Sequence, residues 1–100
     1  MIKWSDEKNQ WLLSERGISF QEIADRIVAG EYIDLLENPA RPGQDIVVLA
    51  IEGYIWVVPF VVEEDDTIFL KTAYPSRKFQ KRYGERNDVD TEAGSAGKDD

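Results

Sequence analysis

Five cations stand within twelve residues, Lys71, Arg77, Lys78, Lys81 and Arg82, with no acid among them, in a chain whose net charge is −8. Residues 1–70 carry 5 basic and 14 acidic residues, a net −9, whereas residues 71–84 carry 5 basic and none acidic, a net +5. An acidic protein that gathers its positive charge in one segment points to an anion met there. Pro75-Ser76-Arg77-Lys78 sets cations at the start of a predicted helix, where free amides already favour an anion, and the chemistry suits a phosphate. Cations at that end oppose the helix dipole by about 0.3–1 kcal/mol each, a conflict that an anionic ligand relieves. Arg77 and Lys81 are i, i+4 neighbours, as are Lys78 and Arg82, while Phe79 and Tyr83 form the core-facing stripe. The plainer alternative is a solvated helix that complements the acidic remainder of the domain, or a partner, by charge alone.

The composition removes most other chemistry. With no His and no Cys there is no imidazole base, no thiolate nucleophile and no Cys- or His-ligated metal. The acidic run Glu63 to Asp66 has the wrong spacing for a calcium loop and reads as a solvated hairpin turn, and Asp6 and Glu7 suit the first turn of a helix. No GxGxxG, phosphate-loop, GxSxG or HExxH pattern occurs. One hundred residues allow one small domain whose site is a shallow surface groove. The N-terminus lacks the apolar stretch of a signal peptide, and the longest apolar run, Tyr54 to Val62, is too short to span a bilayer, so the expectation is a cytoplasmic protein without a membrane partner. A pI near 4.5 argues against general nucleic-acid coating but leaves a local basic site.

These cations need elements to hold them. Ser5 is a predicted N-cap for a helix carrying Trp11 and Leu12 and ending at Gly17. Ser19 and Glu22 form a capping box, Ile18 and Ile23 a hydrophobic staple, and Ile23, Ala24, Ile27 and Val28 one apolar face of a helix over 20–29 that Gly30 closes. Tyr32 to Leu36 reads as a strand or a helix extension before the breaker-rich loop 38–43. Asp45 to Ile51, Tyr54 to Val62 and Thr67 to Thr72 read as an antiparallel meander, in which Pro59 forces a bulge or an unpaired N–H direction. A short helix over 76–83 follows, stopped by Gly84. The predicted architecture is α+β: two N-terminal helices packed on a small antiparallel β-meander, with a short C-terminal helix. The domain spans 1–84; residues 85–100 hold one Val as their sole sizeable apolar residue and are predicted to be a disordered acidic tail.

In that order of elements the chain resembles the BrnT-like toxins of bacterial toxin–antitoxin pairs. The matching words are Trp4-Ser5-Asp6-Glu7-Lys8-Asn9, Arg16-Gly17-Ile18-Ser19-Phe20 and the segment Lys71 to Tyr83, so the resemblance runs from about residue 2 to residue 84. It implies a RelE/ParE-like ribonuclease fold, RNA as substrate, a ribbon-helix-helix antitoxin as partner, and no cofactor or metal. It also implies a metal-independent endoribonuclease in which the ribose 2′-hydroxyl attacks the adjacent phosphate. Carried over to this chain, Lys71 and Arg77 stabilise the phosphate, Arg16 positions it, and Tyr83 or Tyr74 moves the proton. Ser76, Lys78, Lys81 and Arg82, with Tyr74, contact the RNA. Two positions depart from the family pattern: Phe79 stands where many members have Glu, and Tyr74 where they have Arg, which removes an obvious general base. The other reading is a non-catalytic module that binds an acidic protein or a nucleic-acid backbone through residues 71–82.

Overall fold

Ser5 and Ser19 do open the first two helices. In the computed structural model, which describes residues 1–84, α1 runs Asp6–Arg16 and α2 runs Phe20–Val28. Ser5 Oγ accepts from the Lys8 amide and Ser19 Oγ from the Glu22 amide, both at 3.1 Å, so each satisfies a donor that a first turn leaves free. Gly17 ends α1 at φ +71°, a left-handed conformation that glycine adopts without strain. The Glu22 carboxylate pairs with Arg26 one turn on, at 3.4 Å, so half of the capping box has become an i, i+4 ion pair. Ile23 and Ala24 are buried as the pattern predicts, whereas Val28, at the end of the helix, is exposed.

Six strands make one sheet: β1 Ile2–Trp4, β2 Asp34–Glu37, β3 Asp45–Ile51, β4 Tyr54–Val62, β5 Ile68–Leu70 and β6 Tyr74–Pro75. Their order is β1-β5-β4-β3-β2, with β6 on β4 beyond the end of β5. The ambiguous stretch at Tyr32 to Leu36 resolves as the edge strand β2. The sequence reading missed β1, which pairs parallel to β5 and turns an expected antiparallel meander into a mixed sheet. Three residues whose partners lie more than sixty positions away leave no local pattern to read.

Pro59 shapes the middle of the sheet. β3 and β4 pair without a bulge, with Ile46 opposite Pro59, so the missing N–H is accommodated on the other side. There the Lys71 amide donates to the Pro59 carbonyl at 2.8 Å, the ladder lapses, and pairing resumes where Tyr74 meets Val57. The expected strand over 67–72 is therefore interrupted, because Pro59 offers no donor to continue it.

Both faces of the sheet are covered in part. On one face Val47, Leu49, Ile51, Val58, Phe60 and Leu70 pack against Leu12, Ile18, Phe20 and Ile23 of the α1–α2 pair. On the other face Ile46, Val48, Ile55 and Val57 pack against Phe79 and Tyr83. Successive residues of β3 and β4 thus serve opposite cores, which explains why both strands read as continuous apolar runs and not as alternation. Each fully buried Leu, Ile, Val or Phe contributes about 1.5–3 kcal/mol. The third helix, α3 Arg77–Phe79, widens at once into a π-helical turn, Gln80–Gly84. Among the described residues no helix is long and apolar enough to cross a membrane. The expected disordered tail, 85–100, lies outside the described residues.

Candidate nucleic-acid interface

The step that Pro59 forces in the chain carries Lys71. Lys71, Thr72 and Tyr74 line a groove of about 430 Å³ with Pro59, with Asn38, Ala40, Arg41 and Gln44 from the loop after β2, and with Lys8 from the first turn of α1. Three cations and a phenol thus border one concavity to which no carboxylate of the described residues contributes. Tyr74 is opposite Val57, so it lies on the face of the sheet that α3 covers, and the groove occupies the part of that face which the helix leaves open.

Sequence reasoning found Lys71 and Tyr74 and missed Lys8 and Arg41. One available signal was scarcity, since these are two of only five basic residues before position 71. Their meeting depends on pairings across more than thirty positions, which no local pattern encodes.

Arg16 supports the same segment from below. Its Nη1 donates to the carbonyl of Ala73, a buried residue between Thr72 and Tyr74. The Arg16 guanidinium also lies 4.8 Å from the ring of half-exposed Trp11, and Lys8 Nζ lies 4.2 Å from that ring. Lys8, Trp11 and Arg16 form a run of cation, indole and cation leading along α1 to the groove. Cation–π contacts of this kind contribute about 0.5–1 kcal/mol when exposed.

The remaining predicted residues sit on the third helix. Ser76 caps it, accepting from the Phe79 amide at 3.1 Å while its own amide donates to Ile55 O at 3.0 Å. Gln80 Oε1 accepts from the Ile55 amide at 2.9 Å, so a single residue of β4 fixes both ends of the turn. Phe79 and Tyr83 stack at 5.8 Å against the second core, which turns Arg77, Lys78, Lys81 and Arg82 outward to solvent. A helix of this length has little dipole, and Ser76 already engages the Phe79 amide, so the exposed cations are what this segment offers an anion. Tyr83 is buried, and its hydroxyl donates to Asp34 Oδ2 at 3.0 Å. The structure therefore brings Lys71 and Tyr74 together, anchors them with Arg16, sets Arg77, Ser76, Lys78, Lys81 and Arg82 on the adjacent helix, and points the Tyr83 phenol into the core.

Among the described residues no group of three or more acidic side chains is arranged to hold a metal ion. The acidic turn behaves as a turn: Asp65 Oδ1 accepts from the Thr67 amide at 3.1 Å, and the hydrogen bonds from Thr67 hold the Asp65 carboxyl below its ordinary value.

No protein-family model and no curated protein matches this chain. A solved structure does: the 1.1 Å crystal structure of the Brucella abortus ribonuclease toxin BrnT superposes with a TM-score of 0.57 at 14% identity, covering 76% of this chain and 97% of that one. The chain has the BrnT fold. At 14% identity the likeness concerns the fold alone, and at that level it bears out the resemblance read from the sequence. The three words that carried that resemblance also meet in space on this BrnT-like scaffold. Asn9 Oδ1 accepts from the Phe20 amide at 2.8 Å, the rings of Trp4 and Phe20 lie 5.9 Å apart, and Arg16 reaches Ala73.

Proposed function

We propose that the protein is a BrnT-type toxin with a RelE/ParE-like endoribonuclease activity, acting in the cytoplasm without a metal and held in check by a ribbon-helix-helix antitoxin. The observation that carries this reading is the groove of Lys8, Arg41, Lys71 and Tyr74, lined by no acid among the described residues, on a BrnT fold in a chain of net charge −8. An RNA strand follows the cations, with a base stacked on Trp11, the arrangement that single-strand binders use. The 2′-oxygen attacks the neighbouring phosphorus, the bond to the 5′-oxygen breaks, and the products carry a 2′,3′-cyclic phosphate and a 5′-hydroxyl. Lys71 and Arg77 stabilise the charge that builds on the phosphoryl oxygens, while Arg16 holds the 71–74 segment in register. Tyr74 is the better-situated proton carrier, since the Tyr83 hydroxyl is engaged with Asp34.

One observation favours a second reading, that of a non-catalytic binder of acidic or phosphate partners: with Phe79 in the third helix and no carboxylate lining the groove, the usual general bases are missing from both places among the described residues. A single experiment separates the two. Purified protein is incubated with bacterial RNA in excess EDTA, beside Lys71→Ala and Arg77→Lys variants of verified fold. Cleavage by the parent, with cyclic phosphate ends and loss in both variants, supports the enzyme, because a bidentate guanidinium contact does not survive replacement by Lys. Intact RNA that is nevertheless bound by the parent overturns catalysis by the free protein.

A further inference from the structure

The opposite face of the sheet carries a second groove, unlike the first in every chemical respect. It holds about 500 Å³ and is walled by Ile27, Tyr32, Leu35, Val62 and Ile68, with Val47 and Phe60 in its floor. Among the described residues Glu37 and Asp45 are its only charged lining. Leu35 pairs with Val47, so this is the face that α1 and α2 cover, beyond the edge of their coverage. Leu35 is 51% exposed and Val62 53%, two large apolar side chains on the wall of one groove.

We propose that this groove docks an amphipathic helix of a protein partner, one with Leu- or Ile-type residues along one stripe and Lys or Arg flanking it. Three observations select that occupant. The two lining acids, Glu37 and Asp45, which face each other across β2 and β3, favour a basic flank on the partner. The chain's own residues 85–100 hold six acids, two bases and one Val, so they supply neither the charge nor the apolar stripe. Strand addition to β2 would have to displace Asp34 Oδ1 from the Leu35 amide, to which it is bonded at 2.9 Å. A helix laid there continues the layer of α1 and α2 across the rest of the sheet and buries side chains at i, i+3, i+4 and i+7. The inference does not depend on the RNA reading, since it concerns the other side of the sheet.

The test uses the full chain and two synthetic peptides, a helical Leu/Lys amphipath and its Leu/Glu counterpart, followed by fluorescence anisotropy at physiological salt. The Leu/Lys peptide binds saturably, the Leu/Glu peptide at least about tenfold more weakly, and Leu35→Ser and Val62→Ser each weaken the Leu/Lys peptide about tenfold with an unchanged melting midpoint. Glu52→Lys, which removes an acid from the turn between β3 and β4, leaves the affinity unaltered and so separates docking from attraction to net charge. Equal binding of both peptides, indifference to Leu35→Ser and Val62→Ser, or an effect of Glu52→Lys as large as theirs overturns the proposal. So does a concentration-dependent dimer that Leu35→Ser dissolves, since the occupant is then a second copy.

Discussion

Two tyrosines of the basic segment have opposite surroundings, and that difference is testable. Tyr83 gives its hydroxyl to Asp34 inside the second core, whereas Tyr74 is exposed at the cationic groove. Tyr83→Phe deletes a hydrogen bond to a charged acceptor and leaves the ring packing intact, so stability falls by about 1.5–3 kcal/mol in guanidinium denaturation while RNA cleavage per folded molecule is unchanged. Tyr74→Phe shows the reverse, a loss of cleavage with little change in stability. If Tyr83→Phe abolishes cleavage without lowering stability, the assignment of the two phenols is wrong. The sequence identified both residues but not this division, because i, i+4 spacing with Phe79 marks Tyr83 as core-facing without revealing that Asp34, on a strand 49 positions earlier, receives its hydroxyl.

The elements themselves were legible wherever a local interaction defines them. Ser5, Gly17 and Ser19 mark helix ends through bonds made within one turn, and β3 and β4 run over the residues that their β-branched content predicts. What stayed hidden was set at a distance: the parallel pairing of β1, the resumption of pairing at β6 after Pro59, and the attachment of the third helix to Ile55. That attachment yields a prediction. Gln80→Ala leaves the Ile55 amide unpaired beneath the helix, and destabilises the protein by about 1–3 kcal/mol, the cost of an unmet buried donor. A change below about 0.5 kcal/mol, the level of an ordinary surface substitution, would show that Ser76, Phe79 and Tyr83 hold the helix without Gln80. The 63–66 turn supplies a pH-dependent counterpart. Because the Asp65 carboxyl is held below its ordinary value of 3.8 by Thr67, its contribution is complete above 3.8 and is lost as pH falls through the lower folded value. The stability advantage of the parent over Asp65→Ala therefore shrinks below pH 3.8, and an advantage that persists fully at pH 2 refutes this account.

At the scale of the molecule, the proposed RNA strand meets a contradiction: a protein of net charge −8 that is attractive only locally. Which sign dominates depends on the screening length, about 30 Å at 10 mM salt and about 8 Å at physiological ionic strength. At low salt the strand senses the acids of the whole domain, whose longest extent is 44 Å, and the net repulsion offsets the groove. At physiological salt the distant acids are screened, and on the proposed reading the contacts with Lys8, Arg41 and Lys71 govern binding. The logarithm of the RNA affinity should then fall with the logarithm of salt above about 0.1 M, each phosphate contact contributing a slope of about −0.7, and should flatten toward 10 mM. Removing one groove cation, as in Lys8→Ala or Arg41→Ala, reduces the steep part of the slope by about 0.7. Lys3→Ala, whose ammonium lies 3.9 Å from Glu63 and outside the groove, leaves it unchanged. A line that stays straight down to 10 mM would mean that the strand never senses the acidic domain. Equal slopes for the parent and the groove variants would mean that the RNA lies elsewhere, along the outward cations of the third helix.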